Sequence, residues 1–407
     1  MTASEQVEVR GHLMDTGMLA RVLDDVLDYG ADYVVRSLEL GRAHDDESRA
    51  IIEIGAQSQE QLERVLMRVQ RHGVNPTTVS DARVQECLQD GVFPDDFYST
   101  TNLDTEVRLN GRWVPVSRPE MDCGIVIDLT GGARTLPVSD VRSGQAVVCG
   151  AVGVRVQSPA DPDGERQWGF MASAVSSEKP QALQVRLIAE QMRSVRAAGQ
   201  RILWVGGPAV IHTGAAPAMV ALVEQGWVDV LFAGNALATH DIEASLFGTS
   251  LGVDLSAGRG VEHGHEHHIR AINTVRRCGS IAAAVEQGVL TSGVMHAMVR
   301  AGKEFVLVGS VRDDGPLPDV ITDVIEGQRA MRERLDGVGY VIMVATMLHS
   351  IATGNLMPAS VPLVCVDINP ATVTKLADRG SSQAVGVVTD IGLFLEQLTR
   401  ELVPGWR

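Results

Sequence analysis

The chain has 407 residues, 45% of them hydrophobic and 21% charged, with a formal net charge of −16. Its length predicts more than one domain at roughly 100–200 residues each, and the acidic balance argues against nucleic acid or an anionic membrane as partner of the whole surface. Five cysteines with no C-x-x-C pair, a start without a basic-then-apolar leader, and no apolar run of the roughly 18 residues that span a bilayer predict a protein of the reducing cytoplasm.

Residues 1–78 are expected to form a small α+β module. VEVRGHL reads as a strand, and MLARVLDDVLDYG as an amphipathic helix with Leu19, Val22, Leu23 and Val26 on one face. YVVRSLELG and RAIIEIGA follow as strands. SQEQLERVLMRVQRHG reads as a second helix, with Ser58 as N-cap and Gly73 just past its end. The order β-α-β-β-α is that of a ferredoxin-like half-sandwich. Residues 79–164 change character: short β-type runs such as TEVRLN, GRWVPV and CGIVIDL are broken by Gly, Pro and Asp. Asn110–Gly111 between two of them predicts a hairpin, and the whole a β-rich subdomain.

Residues 165–407 alternate apolar runs of strand length (RILWVGG, WVDVLFAGN, EFVLVGS, GYVIMVAT, PLVCVDIN, QAVGVVTD) with helical patterns, among them VITDVIEGQRAMRERL. Continuous apolar strands covered by helices predict an α/β fold with a doubly wound, mainly parallel sheet buried on both faces. Ligands of such sheets bind beyond the carboxyl ends of the strands. Here nearly every strand ends in Gly, Asn, Asp, Thr or His.

In GGPAVIHTGA, Gly206 and Gly207 let a phosphate approach main-chain N–H groups, or simply form a Gly-Pro turn. The G-x-G-x-x-G fingerprint is missing, so an ordinary Rossmann dehydrogenase is not expected. Asp367 ends a strand. An acid there accepts both ribose hydroxyl hydrogens of an adenosine and repels a 2′-phosphate, favouring NAD over NADP; its plainer role is a cap for the helix starting near Pro370. Asp390 caps the last helix or touches the cofactor. Asn235 recognises an amide or a ribose, or forms a turn. VRDDGPLPD gathers Asp313, Asp314 and Asp319, whose mutual repulsion calls for a cation such as a substrate amine; a solvated acidic loop is the alternative. His263, His265, His267 and His268 in HGHEHH read as a surface loop rather than a metal centre, and no metal site is expected. His349 after a strand end is a better candidate for a cofactor contact. Lys303, just before a strand, is not taken as an imine-forming residue.

Several long motifs then carry a resemblance. RGHLMDTGMLARVLD, GVFPDDFYSTTN, MDCGIVID, GPAVIHTGAAPA, AGNALATHDIE, GTSLGVDL, GSVRDDGPLPDVITDV, ATMLHSIATGN, VDINPATVTKLADRGS and VVTDIGLFL resemble the archaeal-type ornithine cyclodeaminase family, which carries a lysine-oxoglutarate reductase/saccharopine dehydrogenase conserved region. They are also similar to the C-terminal half of the cyanobacterial bifunctional arginine dihydrolase/ornithine cyclodeaminases. The likeness covers essentially the whole chain, without the arginine dihydrolase module, so arginine hydrolysis is not expected. It implies an enzyme converting L-ornithine to L-proline and ammonia through an internal redox cycle of NAD, with a nucleotide domain similar to that of deoxyhypusine synthase and a homotetrameric assembly. It also implies cofactor contacts at Asn235, Ala236, Asp314, Thr346, Met347, Leu348, His349, Asp367, Asp390 and Ile391. The richness of HGHEHH in histidine departs from the family pattern. Asp314 is the first and Asp313 the second candidate for binding the cationic amines and moving protons. Two alternatives remain open: an NAD-dependent amino-acid or opine-type dehydrogenase, and a non-catalytic NAD-sensing regulator.

Overall fold

The computed structural model describes residues 3–11, 13, 17–41, 46–157, 181–251, 253–254, 266–313, 315–378 and 384–406. Asp314, His263 and His265 lie outside the described residues. The chain divides into two compact units, Met1–Glu165 with Asn355–Ser360, and Arg166–Gly354 with Val361–Arg407.

The first unit opens with β1 (Ala3–Gly11), α1 (Met18–Asp28), β2 (Asp32–Glu39), β3 (Ser48–Ala56), α2 (Gln59–Gln70) and β4 (Asn75–Pro76). The sheet order is β2-β3-β1-β4, with every neighbouring pair antiparallel. This is the complete ferredoxin-like arrangement: the fourth strand is only two residues long and ends in Pro76, so its pattern does not read as a strand. Alternation along β1 and β3 sends Val7, Val9, Ile52 and Ile54 to one face, where they are buried against Val22 and Val26 of α1 and Leu62, Val65 and Val69 of α2. Ser58 caps α2 by accepting from Gln61 N at 3.1 Å. Asp25 ties the helices together, pairing with Arg68 at 3.0 Å and His72 at 2.8 Å.

The rest of this unit is a seven-stranded sheet of β5 (Arg83–Glu86), β6 (Thr105–Leu109), β7 (Arg112–Ser117), β8 (Gly124–Ile127), β9 (Ala133–Leu136), β10 (Ala146–Cys149) and β11 (Val154–Val156). They run in the order β11-β6-β7-β9-β8-β10-β5. Asn110 (φ 51°) and Gly111 (φ 78°) make the expected tight turn between β6 and β7.

The second unit contains α3 (Gln181–Ala197), β12 (Arg201–Gly206), α4 (Ala209–His212), α5 (Ala216–Glu224), β13 (Val230–Gly234), α6 (Asn235–Phe247), β14 (Thr249–Ser250), β15 (Val253–Asp254), α7 (His267–Cys278), α8 (Ile281–Glu286), α9 (Val294–Arg300), β16 (Glu304–Val308), β17 (Val320–Ile321), α10 (Val324–Glu333), β18 (Val338–Val344), α11 (Met347–Leu356), β19 (Leu363–Asp367), α12 (Pro370–Asp378), β20 (Ala384–Val388) and α13 (Ile391–Leu402). Its main sheet has the order β17-β16-β13-β12-β18-β19-β20 and is parallel throughout. The chain winds outward from β12 in one direction, returns to β18, and winds outward in the other. The doubly wound fold is therefore present, and its direction reverses between β12 and β18. Trp204, Phe232, Tyr340 and Phe394 are among the largest side chains buried in this unit, each contributing on the order of 2–3 kcal/mol of apolar burial.

Two local expectations are corrected. Val320–Ile321 pair with Leu307–Val308 as a short edge strand, and the following helix starts only at Val324, where Asp323 accepts from Ile325 N (2.8 Å) and Glu326 N (3.1 Å). The acid placed early in VITDV is a cap and not a helical position. His267 and His268 likewise open α7 and are half-buried, not part of a surface loop.

Candidate active site

The carboxyl ends of β12 and β18 come into close contact at the reversal point. Gly207 N donates to Val344 O at 2.9 Å, and Ala345 N to Val366 O at 3.0 Å. A Cβ on Gly207 would lie 1.8 Å from Ala345 O, and one on Gly206 2.7 Å from Leu237 Cδ1. Only glycine fits at Gly207, where the clash is with backbone; at Gly206 it is with the end of a leucine side chain that can turn aside. Ala345 itself is held at φ 52°, the left-handed region that costs a non-glycine residue on the order of 1 kcal/mol. This turns the chain from β18 into α11, placing Thr346 and Met347 at the rim and leaving Leu348 75% exposed.

On the β13 side, α6 begins directly at the strand end. Its N-cap is Gly234, which supplies no side-chain acceptor, so the first-turn N–H groups at Asn235 and Ala236 face the crevice uncapped. The buried Asn235 accepts through Oδ1 from Leu317 N (3.0 Å) and Thr239 Oγ1 (3.3 Å). It thereby anchors the loop carrying the acids. His349 packs its ring on Gly234, where a Cβ would lie 3.2 Å from Cε1. Burial lowers its pKa against the opposing hydrogen bond to the Val308 backbone and the charge of Asp313, so the ring is neutral at physiological pH.

Two acids of VRDDGPLPD are among the described residues, and each has a backbone donor. Asp313 Oδ2 accepts from Ser310 N (2.8 Å), and Asp319 Oδ2 from Ile281 N (2.8 Å) at the start of α8. Burial raises the pKa of Asp319.

On the β19 side, Asp367 is 9% exposed and accepts through Oδ1 from Asn369 N at 2.8 Å. Asn369 in turn accepts from Ala371 N at 3.0 Å in the first turn of α12. Asn369, and not Asp367, therefore caps that turn, and Oδ2 of Asp367 accepts from no described group. Asp390 is the N-cap of α13, taking Leu393 N at 2.9 Å. Ile391 buries its side chain in the core, leaving only its main chain toward the rim. Lys303 pairs with Asp229 at 2.7 Å at the opposite end of the sheet.

Sequence reasoning missed a set of buried polar residues on and just after α6, His240, Glu243, Thr249 and Ser250, which meet His212 and His267. The spacing of His240 and Glu243, one helical turn apart, was the available signal. Their partners arrive from the β14–β15 hairpin and α7, which local pattern does not place. Asp241 is also buried. It accepts from Val294 N and Met295 N, both at 2.8 Å, and burial outweighs these bonds to push its pKa up to about 6.

Strand ends drawn together at Gly207, an uncapped helix start on one side and a carboxylate with a spare oxygen on the other match what a dinucleotide requires. Among the described residues no helix is long and apolar enough to cross a membrane.

Three family models cover the chain: the LOR/SDH bifunctional enzyme conserved region over residues 4–103, the first region of the ArgZ-like arginine dihydrolase C-terminal part over 104–185, and its Rossmann-fold region over 186–398. The ornithine cyclodeaminase of Methanothermobacter thermautotrophicus is 49% identical over 98% of both chains. The crystal structure of apo ArgZ, an arginine dihydrolase from the ornithine–ammonia cycle in cyanobacteria, superposes with a TM-score of 0.86 at 39% identity, covering 98% of this chain and 58% of that one. The ternary complex of AgrE with ornithine and NAD+ matches with a TM-score of 0.54 at 42% identity, over 98% of this chain and 57% of that one. The chain thus spans a little over half the length of these two cyanobacterial structures and nearly all of the archaeal protein. It belongs to the family formed by the archaeal ornithine cyclodeaminases and the C-terminal regions of the ArgZ-like proteins.

Proposed function

We propose that this chain is an NAD-dependent ornithine cyclodeaminase, a cytoplasmic homo-oligomeric lyase that converts L-ornithine to L-proline and ammonia. The reading rests on the crevice at the β12–β18 reversal point, in a chain 49% identical over nearly its whole length to an archaeal ornithine cyclodeaminase. Gly206–Gly207 would hold the pyrophosphate of NAD and Asp367 its adenosine ribose. Thr346, Met347, Leu348, Asp390 and the main chain of Ile391 would line its path, and Asn235, Ala236 and His349 would hold its nicotinamide end. When bound, it supplies the acceptor for the hydride of the substrate α-carbon and returns that hydride to the ring-closed product precursor.

The chain's own residues orient and protonate. Holding the δ-amine against the α-carbon makes ring closure unimolecular. Asp314 is the carboxylate proposed to bind the cationic amines. Asp313 is the second candidate, although its Oδ2 already holds Ser310 N. Neutral His349 offers the nicotinamide end a wall without a second positive charge. Incubating purified protein with NAD and L-ornithine tests the reading. Proline and ammonia form in equal amounts with no accumulation of NADH. Net NADH from ornithine instead identifies a dehydrogenase, and no reaction refutes the assignment.

A further inference from the structure

Behind the Gly-rich turn, four segments converge on one buried carboxylate. Glu243 on α6 is wholly buried and accepts from Thr249 Oγ1 (2.9 Å), Leu251 N (3.3 Å) and His240 Nδ1 (2.8 Å). A carboxylate only accepts, so the proton of His240 sits on Nδ1 and its Nε2 is the position open to exchange. Thr249, donating to Glu243, accepts from His267 Nδ1 at 2.8 Å. The ring of His240 lies edge-on against that of His212, with centroids 4.8 Å apart at 63°. His212 closes α4 directly after the Gly206–Gly207 turn and is fixed by Ser250 Oγ, 2.6 Å from Nδ1.

Thr249 and Leu251 already bolt the hairpin to α6, so that task does not require an imidazole. The second imidazole is what a structural role leaves unexplained. It is half-exposed, on the one loop that the phosphate-binding turn itself continues into. We infer that His212 and His240 act as the proton carrier of the reaction, with Glu243 as the positioning residue that fixes the tautomer of His240.

The inference rests on the ornithine cyclodeaminase reading, whose stoichiometry requires such a carrier. Ornithine with both amines protonated carries one net positive charge; the products are zwitterionic proline and one ammonium ion. No proton is gained or lost overall. The α-ammonium must nevertheless give up a proton before its C–H bond breaks, and the δ-ammonium another before its nitrogen attacks the α-carbon. Both protons return later: one completes the ammonium ion as the C–N bond to ammonia breaks, and the other completes the ring NH2+ of proline once the cyclic C=N bond has been reduced. A pair of facing imidazoles stores protons one at a time, because protonating one disfavours protonating the other. The lowered pKa of His212, set by burial and then by His240 against the opposing pull of Glu243, agrees with this. The other titratable groups packed around α6 are His267 and His268 on α7; Asp241 turns the other way, onto the start of α9.

The test uses His240→Asn, whose side-chain amide keeps a donor toward Glu243 while removing the titrating ring, together with Glu243→Gln and His212→Gln. In the NAD-free protein, 15N NMR reads the tautomer of the neutral His240 ring, which is Nδ1–H in wild type and mixed in Glu243→Gln, whose amide can donate as well as accept. With ornithine, His240→Asn and His212→Gln lower kcat by about 100-fold or more at unchanged KM and NAD affinity. They flatten the pH profile of kcat, and added imidazole restores part of the rate. A His240→Asn protein with kcat within threefold of wild type across the pH range overturns the inference, as does one whose loss lies wholly in NAD affinity. If His240→Asn unfolds, the kcat of His212→Gln and the His240 tautomer in Glu243→Gln decide: a kcat within threefold of wild type, or an unchanged tautomer, overturns the inference. Wild-type protein inert toward ornithine overturns the underlying reading instead, separating the two failures.

Discussion

Replacing Asp367 with Asn isolates the electrostatic part of cofactor binding. In the structure Oδ1 of Asp367 holds Asn369 N at 2.8 Å, and Oδ2 accepts from no described group. An asparagine keeps the first bond through its carbonyl oxygen and presents an amide where the carboxylate faced the ribose. In the proposed placement the native side chain would give two charge-assisted bonds to the ribose hydroxyls, each worth on the order of 1.5–3 kcal/mol net. Losing both at the lower figure costs about 3 kcal/mol, or roughly 150-fold in Kd. Titration calorimetry with NAD measures this directly, and the melting temperature without ligand reports whether the α12 turn survives. The expected outcome is an unchanged ligand-free melting temperature, a Kd for NAD raised about 100-fold, and a smaller preference for NAD over NADP because the repulsion of a 2′-phosphate has gone. A Kd within threefold of wild type refutes the placement of the adenosine ribose on β19.

Two further substitutions probe the frame of the site. Gly207→Ala places a methyl 1.8 Å from Ala345 O and threatens the 2.9 Å bond from Gly207 N to Val344 O. Overpacking of about 2 kcal/mol plus one hydrogen bond of about 1 kcal/mol lowers the melting temperature by roughly 10 °C, measured by calorimetry. An unchanged value means the two strand ends are not in contact. Asp241→Asn tests the buried acid. Its folded pKa of about 6 lies above the ordinary aspartate value of 3.8, so the folded state holds this proton more tightly than the unfolded chain. Stability from this group is fully present below about pH 4 and is lost as pH rises through 6. At about 1.4 kcal/mol per unit, wild type loses on the order of 3 kcal/mol relative to the variant across that window, read from denaturant unfolding at pH 4 and pH 7. Parallel pH dependence of the two proteins contradicts the burial of this carboxylate.

The sheet was legible because its strands are continuous apolar runs whose Gly, Asp or Thr endings mark the carboxyl side. β4 was not legible: two residues ending in a proline carry no alternation, and only the company of β1 makes them a strand. β17 was misread because Val320 and Ile321 fall in phase with the helix that follows, and one acid in the wrong frame hid the boundary. At the site, Gly207, Asn235 and Asp367 announced themselves through residue type at strand ends. What they bond to did not follow: a helix cap is the plainer alternative for Asp367, and Asn369 performs that task two residues on. The VRDDGPLPD acids were read as needing a cation, whereas Asp313 and Asp319 find backbone donors that only the folded loop supplies. The His240–Glu243 set stayed hidden because its members come from four segments, and a helix-turn spacing alone has no chemical meaning until the hairpin at Thr249 closes over it.

Several helices around the sheet have the N–H groups of their first turn taken by a side chain. Asp390 does so for α13, Asp323 for α10, and Asp241, from another helix, for α9. The start of α6 has no such cap, since Gly234 brings no acceptor. Yet this same helix carries Asn235, Asp241 and Glu243, which hold the acid loop, α9 and the hairpin. A helix end without a side-chain cap is thus the keystone of three surrounding segments. Amide protons in the first turn of α6 therefore exchange quickly while the crevice is vacant. Filling it slows exchange there and, through those three attachments, along segments the cofactor never touches.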